Sequence, residues 1–421
     1  MPDAMFLRRD LLKGAACLGL MSASSGRARE ADRFVAVRGM VNGVIRGRAA
    51  PGAIVAIGQG TDRPTYISSG TIALDDPHAV DEHTLFRVYS MTKPITGMAV
   101  MLLIAEGRMK LDQPVADFIP GFANMRVLTN PGQSLESRPA ASVMTIRHLL
   151  THTAGFGGGL NMKGPLKAEY QRLGLSQNLR SRADRLEPPP VASLKEFAER
   201  LSAAPLMSDP GTVWSYSVGL DLLGRIIEVA AGMPFDQFLE RRFFAPLGMK
   251  NTFFDVPAGK KARLITNYSG RGANLAAVDP GPTSIFLDKP AFPSGGGGLI
   301  SSAHDYDRFL TMLTNNGSLG KAHVLPPAAV AVGTSNLLPP GVNMRDYIGI
   351  PGVVGFGAGG CIANHGGLKG LFGWMGAAGT IGFILPSQRI RVTGLINNLS
   401  VFDFAIGLPG AVHADLASAA T

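Results

Sequence analysis

The stretch 87-RVYSMTKPITG-97 decides how this chain is read, because it sets Ser90 three residues before Lys93 at the head of a long apolar run. If Ser90 caps a helix, Lys93 lies one turn along on the same face, within reach of the hydroxyl. Pro94 is tolerated there, since the first four amide hydrogens of a helix have no partner to lose. Those amides and the helix dipole also favour negative charge developing at the helix mouth. A serine hydroxyl is a weak nucleophile until a base takes its proton, and an amine buried in an apolar helix spends part of its time neutral. Alone, a four-residue pattern with two fixed positions also fits an ordinary polar helix start, so the surroundings decide.

Working outward, residues 91–106, MTKPITGMAVMLLIAE, are apolar on nearly every face, which predicts a helix inside the protein with Gly107 as its stop. Upstream, 52-GAIVAIGQG-60 and 64-PTYISSG-70 are β-rich runs separated by turn residues and read as a hairpin. Near the far end, 380-TIGFILPS-387 and 389-RIRVTGLIN-397 read as a second hairpin. Before it, Ser302 followed by Asp305 and an apolar stripe up to Gly317 marks a capped helix. The middle is helical in pattern but broken by Pro- and Gly-rich insertions. The longest, 157–190, exceeds a plain connection and suggests a lid or pocket wall. No repeat of fixed period is present. These elements predict an α/β (α+β) architecture: a sheet domain from 29–121 and 289–421, a helical domain over 122–288, and the chemistry between them.

Composition agrees with a globular protein. The 421 residues are 46% hydrophobic and 17% charged, enough for a substantial core. The net charge of +9 is spread without a run of five or six basic residues or interleaved aromatics, so it reads as a solubility property and no nucleic acid partner is expected. Residues 1–28 carry Arg8 and Arg9, an apolar run and a small-residue stretch ending at Ala28, and resemble a twin-arginine export signal with cleavage after Ala28. A periplasmic or secreted location follows as an expectation. No stretch reaches the roughly 20 apolar residues of a membrane helix. Cys17 falls within the signal, which leaves Cys361 alone and no internal disulfide after cleavage.

Several ordered blocks carry a resemblance. LFRVYSMTKPITG, TIRHLLTHTAGF, PGTVWSYSVGLDLLGRII, GGGGLISSAHDYDRFLTML and FGWMGAAGTIGF look like the serine beta-lactamase and penicillin-recognising superfamily. The sequence is most similar there to the class C-like esterases, the family VIII carboxylesterases. The likeness runs from about Val44 to Asn397. It implies a beta-lactamase-like fold, an antiparallel sheet flanked by helices plus an inserted helical domain. Carried over by position, Ser90 is the nucleophile, Lys93 shares its proton, and Tyr216 is the general base. The backbone amides of Ser90 and Ala377 form the oxyanion hole. The block Trp374–Gly376 fills the place of the third motif, which the family carries on an edge strand, and Val218, Trp374 and Gly376 face substrate. A competing alignment uses His365–Gly367 as that motif and reproduces the pattern less fully.

Two departures matter. Val218 stands where lactamases carry an asparagine, and Trp374 where they carry the motif lysine. Neither replacement can recognise an acylamido side chain or a substrate carboxylate, which disfavours lactam turnover and favours neutral esters. The expectation is an acyl-enzyme hydrolase for short-chain esters, a small-molecule ester or peptide being its partner, with no cofactor and no metal. An amidase or peptidase for small D-residue or cell-wall peptides is the alternative, as is a weak beta-lactamase or penicillin-binding protein with little turnover. His148 and His152, four apart, lack the glutamate of a zinc hydrolase motif and read as structural. The run 294-SGGGGL-299 lacks the ending of a phosphate loop and reads as a close turn bordering the pocket.

Overall fold

The computed structural model describes residues 33–157, 162, 164–175, 191–344, 352–363 and 366–418. The signal-like segment with Arg8, Arg9, Cys17 and Ala28, most of 157–190, and His365 lie outside the described residues.

Eight strands form one antiparallel sheet: β1 (Gly52–Gln59), β2 (Thr65–Ala73), β3 (Asp76–Ala79), β4 (Val353–Phe356), β5 (Cys361–Ala363), β6 (Leu371–Gly376), β7 (Thr380–Leu385) and β8 (Ile390–Leu395). Their order across the sheet is β4-β5-β6-β7-β8-β1-β2-β3. The two ends of the chain therefore meet where β1 pairs with β8, with Ile54 opposite Leu395 and Gln59 opposite Ile390. Both hairpins expected from the sequence are present. β1 and β2 place Val55 opposite Ile67. β7 and β8 are joined through a 3-10 turn over Pro386–Gln388 that ends on Arg389 in the left-handed region.

β1 is apolar along its length because both faces of the sheet are covered. Ala53, Val55 and Ile57 join Val37, Val41 and Val44 of α1 (Val35–Arg46) and Phe404, Leu408 and Val412 of the last helix in one core. Ile54 and Ala56 face the opposite core, with α2 (Thr92–Ala105). α2 is buried from Thr92 to Leu103, as its lack of a polar face predicts. Its chain turns away at Gly107, which holds a φ of 71° that only glycine adopts without strain. Beyond it come α3 (Ile146–Leu150), α4 (Gly164–Arg172), α5 (Leu194–Ser202), α6 (Gly219–Ala231) and α7 (Phe235–Leu239). Leu223, Ile227 and Phe238 of these helices belong to the same apolar cluster as Ile54 and Leu395, so the helical segment is continuous with one side of the sheet.

α8 (Ala303–Thr314) returns the chain to that side. Ser302 caps it as predicted, accepting from the Asp305 amide at 3.2 Å. The Tyr306 hydroxyl donates to the Met91 carbonyl at 2.9 Å and ties α8 to the segment that carries Ser90. Arg391 of β8 and Asp307 of α8 form a buried ion pair at 2.8 Å. Burial there raises the Asp307 carboxyl against the lowering effect of the guanidinium. α9 (Pro327–Gly333) and α10 (Asp403–Ser418) complete the chain. Cys361 is free and buried, and burial pushes its thiol up to about 12, which keeps it protonated and inert. No helix among the described residues is long and apolar enough to cross a membrane.

Candidate active site

The segment leading to Ser90 is anchored before it turns. Phe86–Arg87 pairs with Ile300–Ser301 in a short antiparallel ladder. The wholly buried Arg87 donates through Nε to Asp279 at 2.7 Å and through Nη2 to the Ser284 hydroxyl at 2.8 Å. The Arg87 amide donates to the Asn397 side chain at 3.3 Å. Tyr89 then adopts a φ of 45°, a left-handed conformation that costs a non-glycine residue roughly 1–2 kcal/mol. Two hydrogen bonds hold it there: Thr92 Oγ1 donates to the Tyr89 carbonyl at 2.6 Å and Asn267 Nδ2 to its phenol at 2.9 Å.

That kink changes the expected role of Ser90 in the helix. Tyr89–Met91 form a 3-10 turn, and α2 starts at Thr92 with Met91 as its N-cap and no side-chain cap. Ser90 is therefore not the capping residue, and its hydroxyl is not spent on a backbone amide. It meets two other groups instead. Lys93, 4% exposed, donates from Nζ to Ser90 Oγ at 3.2 Å. The Tyr216 phenol donates to the same oxygen at 2.7 Å. Lys93 Nζ also lies 4.6 Å from the centre of the Tyr216 ring, so the three side chains converge pairwise.

The glycine run supplies the second contact of the lysine. Lys93 Nζ donates to the Gly296 carbonyl, and Thr96 of α2 donates to the Gly295 carbonyl at 2.8 Å. A Cβ at Gly295 would stand 2.4 Å from the Leu220 carbonyl, and one at Gly296 would stand 2.5 Å from Asp221 Oδ2. Only glycine lets the loop approach this closely. Asp221, in the first turn of α6 and 5% exposed, accepts from the Ser294 hydroxyl at 2.5 Å and the Gly296 amide at 3.0 Å. The buried carboxylate thus fixes the loop that meets Lys93. The sequence reading did not single out Asp221. An acid between the buried leucines 220, 222 and 223 was the available signal.

On the other side of Tyr216 stands β6. Trp374 stacks on the Tyr216 ring, with centroids 5.7 Å apart and planes at 27°. Its indole Nε1 lies 3.5 Å from the phenol oxygen, at the long limit of a hydrogen bond. β6 is interior, flanked by β5 and β7, and is not the edge strand that the resemblance suggested. Gly376 is buried where a Cβ would be 2.3 Å from the Val88 carbonyl, so its missing side chain lets the β6 end and Ala377 close on the serine segment. Val218 is 5% exposed and packs in the apolar core at the N-terminal end of α6, so little of it is left to face a substrate.

His148 accepts the Thr145 amide at 3.2 Å and closes the start of α3. His152 is fully buried against Trp214, Tyr216 and Phe356. The two histidines serve separate backbone positions, and no group of three His, Cys, Asp or Glu side chains that could hold a metal occurs among the described residues. A separate concavity of about 300 Å³ is lined by Asp236, Glu240, Phe244, Phe253 and Asp255, and it contains none of the residues that converge on Ser90.

A large antiparallel sheet flanked by helices, with a serine, a lysine and a tyrosine brought together beside it, defines a beta-lactamase-like fold of the serine hydrolase class. The chain belongs to the beta-lactamase family, whose model matches residues 37–413. Esterase EstB from Burkholderia gladioli is 35% identical over 250 residues, covering 56% of this chain and 58% of that protein. Protein Rv1367c from Mycobacterium tuberculosis is 32% identical over 329 residues, covering 75% and 78%. The solved structure of EstCE1, a hydrolase with promiscuous acyltransferase activity, is similar at a TM-score of 0.74 and 26% identity, covering 91% of this chain and 99% of that one. The family thus includes esterases and acyltransferases beside beta-lactamases.

Proposed function

We propose that the chain is a carboxylesterase that forms an acyl-enzyme at Ser90 and releases it to water. The carrying observation is the double contact at Ser90 Oγ, with Lys93 at 3.2 Å and Tyr216 at 2.7 Å. In this reading Ser90 Oγ attacks the ester carbonyl carbon while Tyr216, in short contact with it, serves as the general base that takes its proton. The amides of Ser90 and Ala377 take the oxyanion, and the close approach of Gly376 to Val88 supports that placement. The tetrahedral intermediate collapses, the carbon–oxygen bond to the alcohol breaks, and Tyr216 returns the proton to the departing oxygen. Water then attacks the acyl carbon, giving one proton to Tyr216; the bond from that carbon to Ser90 Oγ breaks, Tyr216 returns the proton to Ser90 Oγ, and the carboxylic acid departs with the hydroxyl from water.

Neutral, short-chain esters fit the groups present. Trp374 supplies an indole where a cation would be needed for a carboxylate, Val218 offers no hydrogen bond, and Arg87 is buried against Asp279. The test is a series of p-nitrophenyl esters of increasing acyl length, run beside Ser90→Ala. Wild-type turnover should be greatest for short acyl groups and the variant should show none. Undiminished hydrolysis by Ser90→Ala would end the assignment. A chromogenic cephalosporin and a D-amino-acid dipeptide in the same plate should be turned over far more slowly.

A second reading is acyl transfer to an alcohol acceptor, which the described activity of EstCE1 supports. The buried Trp214, Phe356 and Trp374 around Tyr216 favour it, because an apolar wall competes poorly for water and well for an organic acceptor. Adding an alcohol to the ester assay should divert part of the acyl group into a new ester. Export is part of the proposal and rests on Arg8 and Arg9. Amino-terminal sequencing of exported protein should begin at Arg29.

A further inference from the structure

We propose that His152 is the positioning residue for Tyr216, gripping the backbone on both sides of it in the neutral imidazole form. The inference rests on the preceding reading, in which Tyr216 acts on Ser90.

Three contacts meet in this one residue. The His152 carbonyl accepts the Ser215 amide at 2.9 Å, and its ring Nδ1 accepts the Ser217 amide at 3.1 Å. The imidazole lies 4.6 Å, centroid to centroid, from the Tyr216 ring that those two amides flank. The phenol oxygen sits at the far end of a long side chain, so a small tilt of the 215–217 backbone moves it away from Ser90. Displacements of about 1 Å at a reacting pair can cost about 100-fold in rate.

The grip needs a particular backbone and a particular proton. His152 holds a φ of 57°, in the left-handed region that few non-glycine residues adopt and that Asn, Asp and His enter most readily. From there its carbonyl and its ring both reach the 215–217 segment. Nδ1 accepts a hydrogen bond, so the ring proton is on Nε2, which is buried without a hydrogen-bond partner among the described residues. Full burial, and then the Lys93 charge, push the imidazolium well below its ordinary range. Among the described residues no hydrogen bond joins His152 to Ser90, so it acts through Tyr216 and is not itself a catalytic residue.

The test is a double-mutant cycle on p-nitrophenyl butyrate hydrolysis, with kcat and KM measured separately. His152→Phe keeps a ring and removes the acceptor. It should lower kcat about 30-fold and leave KM within about 3-fold. His152→Asn places Oδ1 where Nδ1 accepts and tolerates the left-handed backbone, so it should recover at least 10-fold of that loss. In a Tyr216→Phe background, His152→Phe should cost less than about 3-fold more, since the group it positions is already gone. Equal losses in the Phe and Asn variants, or losses that multiply in the double variant, would overturn the proposal. So would a lowered melting temperature with kcat unchanged. If His152→Phe does not fold, His152→Ala replaces it in the cycle with the same expectations. Ser90→Ala in the same assay separates the two readings, because its retained activity would remove the serine chemistry whatever the His152 variants do.

Discussion

Tyr216 has two flanks, and they are built from different chemistry. On one, Lys93 brings a buried cation to within 4.6 Å of the ring and to 3.2 Å of Ser90 Oγ. On the other, Trp374 brings a neutral indole, stacked at 5.7 Å with its Nε1 3.5 Å from the phenol oxygen. A carboxylate beside the second flank would find one weak donor already directed at Tyr216 and no charge, and burying it there would be costly. An ester alkyl group would find aromatic surface. In the proposed function, the asymmetry would separate the groups that move protons from the wall that selects what enters.

The largest effect should come from the charged flank. Lys93→Met keeps the length of the side chain and removes the amine, so Ser90 and Gly296 both lose a donor. General acid–base groups of this kind contribute about 10²–10⁴ in rate. We expect kcat on short esters to fall by about 10³-fold, with the melting temperature lowered only by the lost donor to the Gly296 carbonyl, since the apolar slot remains filled. A loss smaller than about 10-fold would mean that Tyr216 acts on Ser90 without support from the lysine.

The two flanks also differ in how far the sequence revealed them. The hairpins at 52–70 and 380–397, the buried α2 and the Ser302 cap were all legible, because each is written in local periodicity and turn chemistry. The closeness of Ser90 and Lys93 was legible from their three-residue spacing, but the spacing alone also fits an ordinary helix start, and their chemical reading came from the resemblance of the surrounding blocks. The error over Ser90 as a cap came from Tyr89, whose left-handed φ depends on Asn267, a residue 178 positions away. Asp221 was not singled out, and His152 was read only as a structural residue near the site, because their partners, Gly296 and Ser217, lie 75 and 65 residues from them. The place of β6 inside the sheet depends on β4 and β5, whose short strands have little pattern of their own.

A smaller effect should follow from loosening the support behind Lys93. Asp221→Asn keeps the shape and an acceptor oxygen but removes the charge that holds Ser294 and the Gly296 amide. A hydrogen bond to a charged group is worth about 1.5–3 kcal/mol, of which the amide recovers part. We expect kcat to fall about 10-fold, with Ser90 still labelled stoichiometrically by a fluorophosphonate. Wild-type kcat in this variant would show that the loop holds its position without the carboxylate.

The smallest change belongs to the neutral flank, and it can be read twice. Trp374→Phe keeps an aromatic ring against Tyr216 and deletes the indole N–H, whose long contact should be worth no more than about 1 kcal/mol, or about 5-fold in kcat. Trp374→Lys goes further and gives the second flank the charge that it lacks. Trp374 is 4% exposed within an apolar cluster, so the lysine will lower the melting temperature. The ratio of kcat/KM for a hemisuccinate ester to that for a butyrate ester, measured in one preparation, does not depend on the folded fraction. That ratio should rise at least about 10-fold in Trp374→Lys and stay near the wild-type value in Trp374→Phe. An unchanged ratio in the lysine variant would mean that selection against carboxylates lies elsewhere in the pocket, and the division of labour between the flanks of Tyr216 would fail at its weaker side.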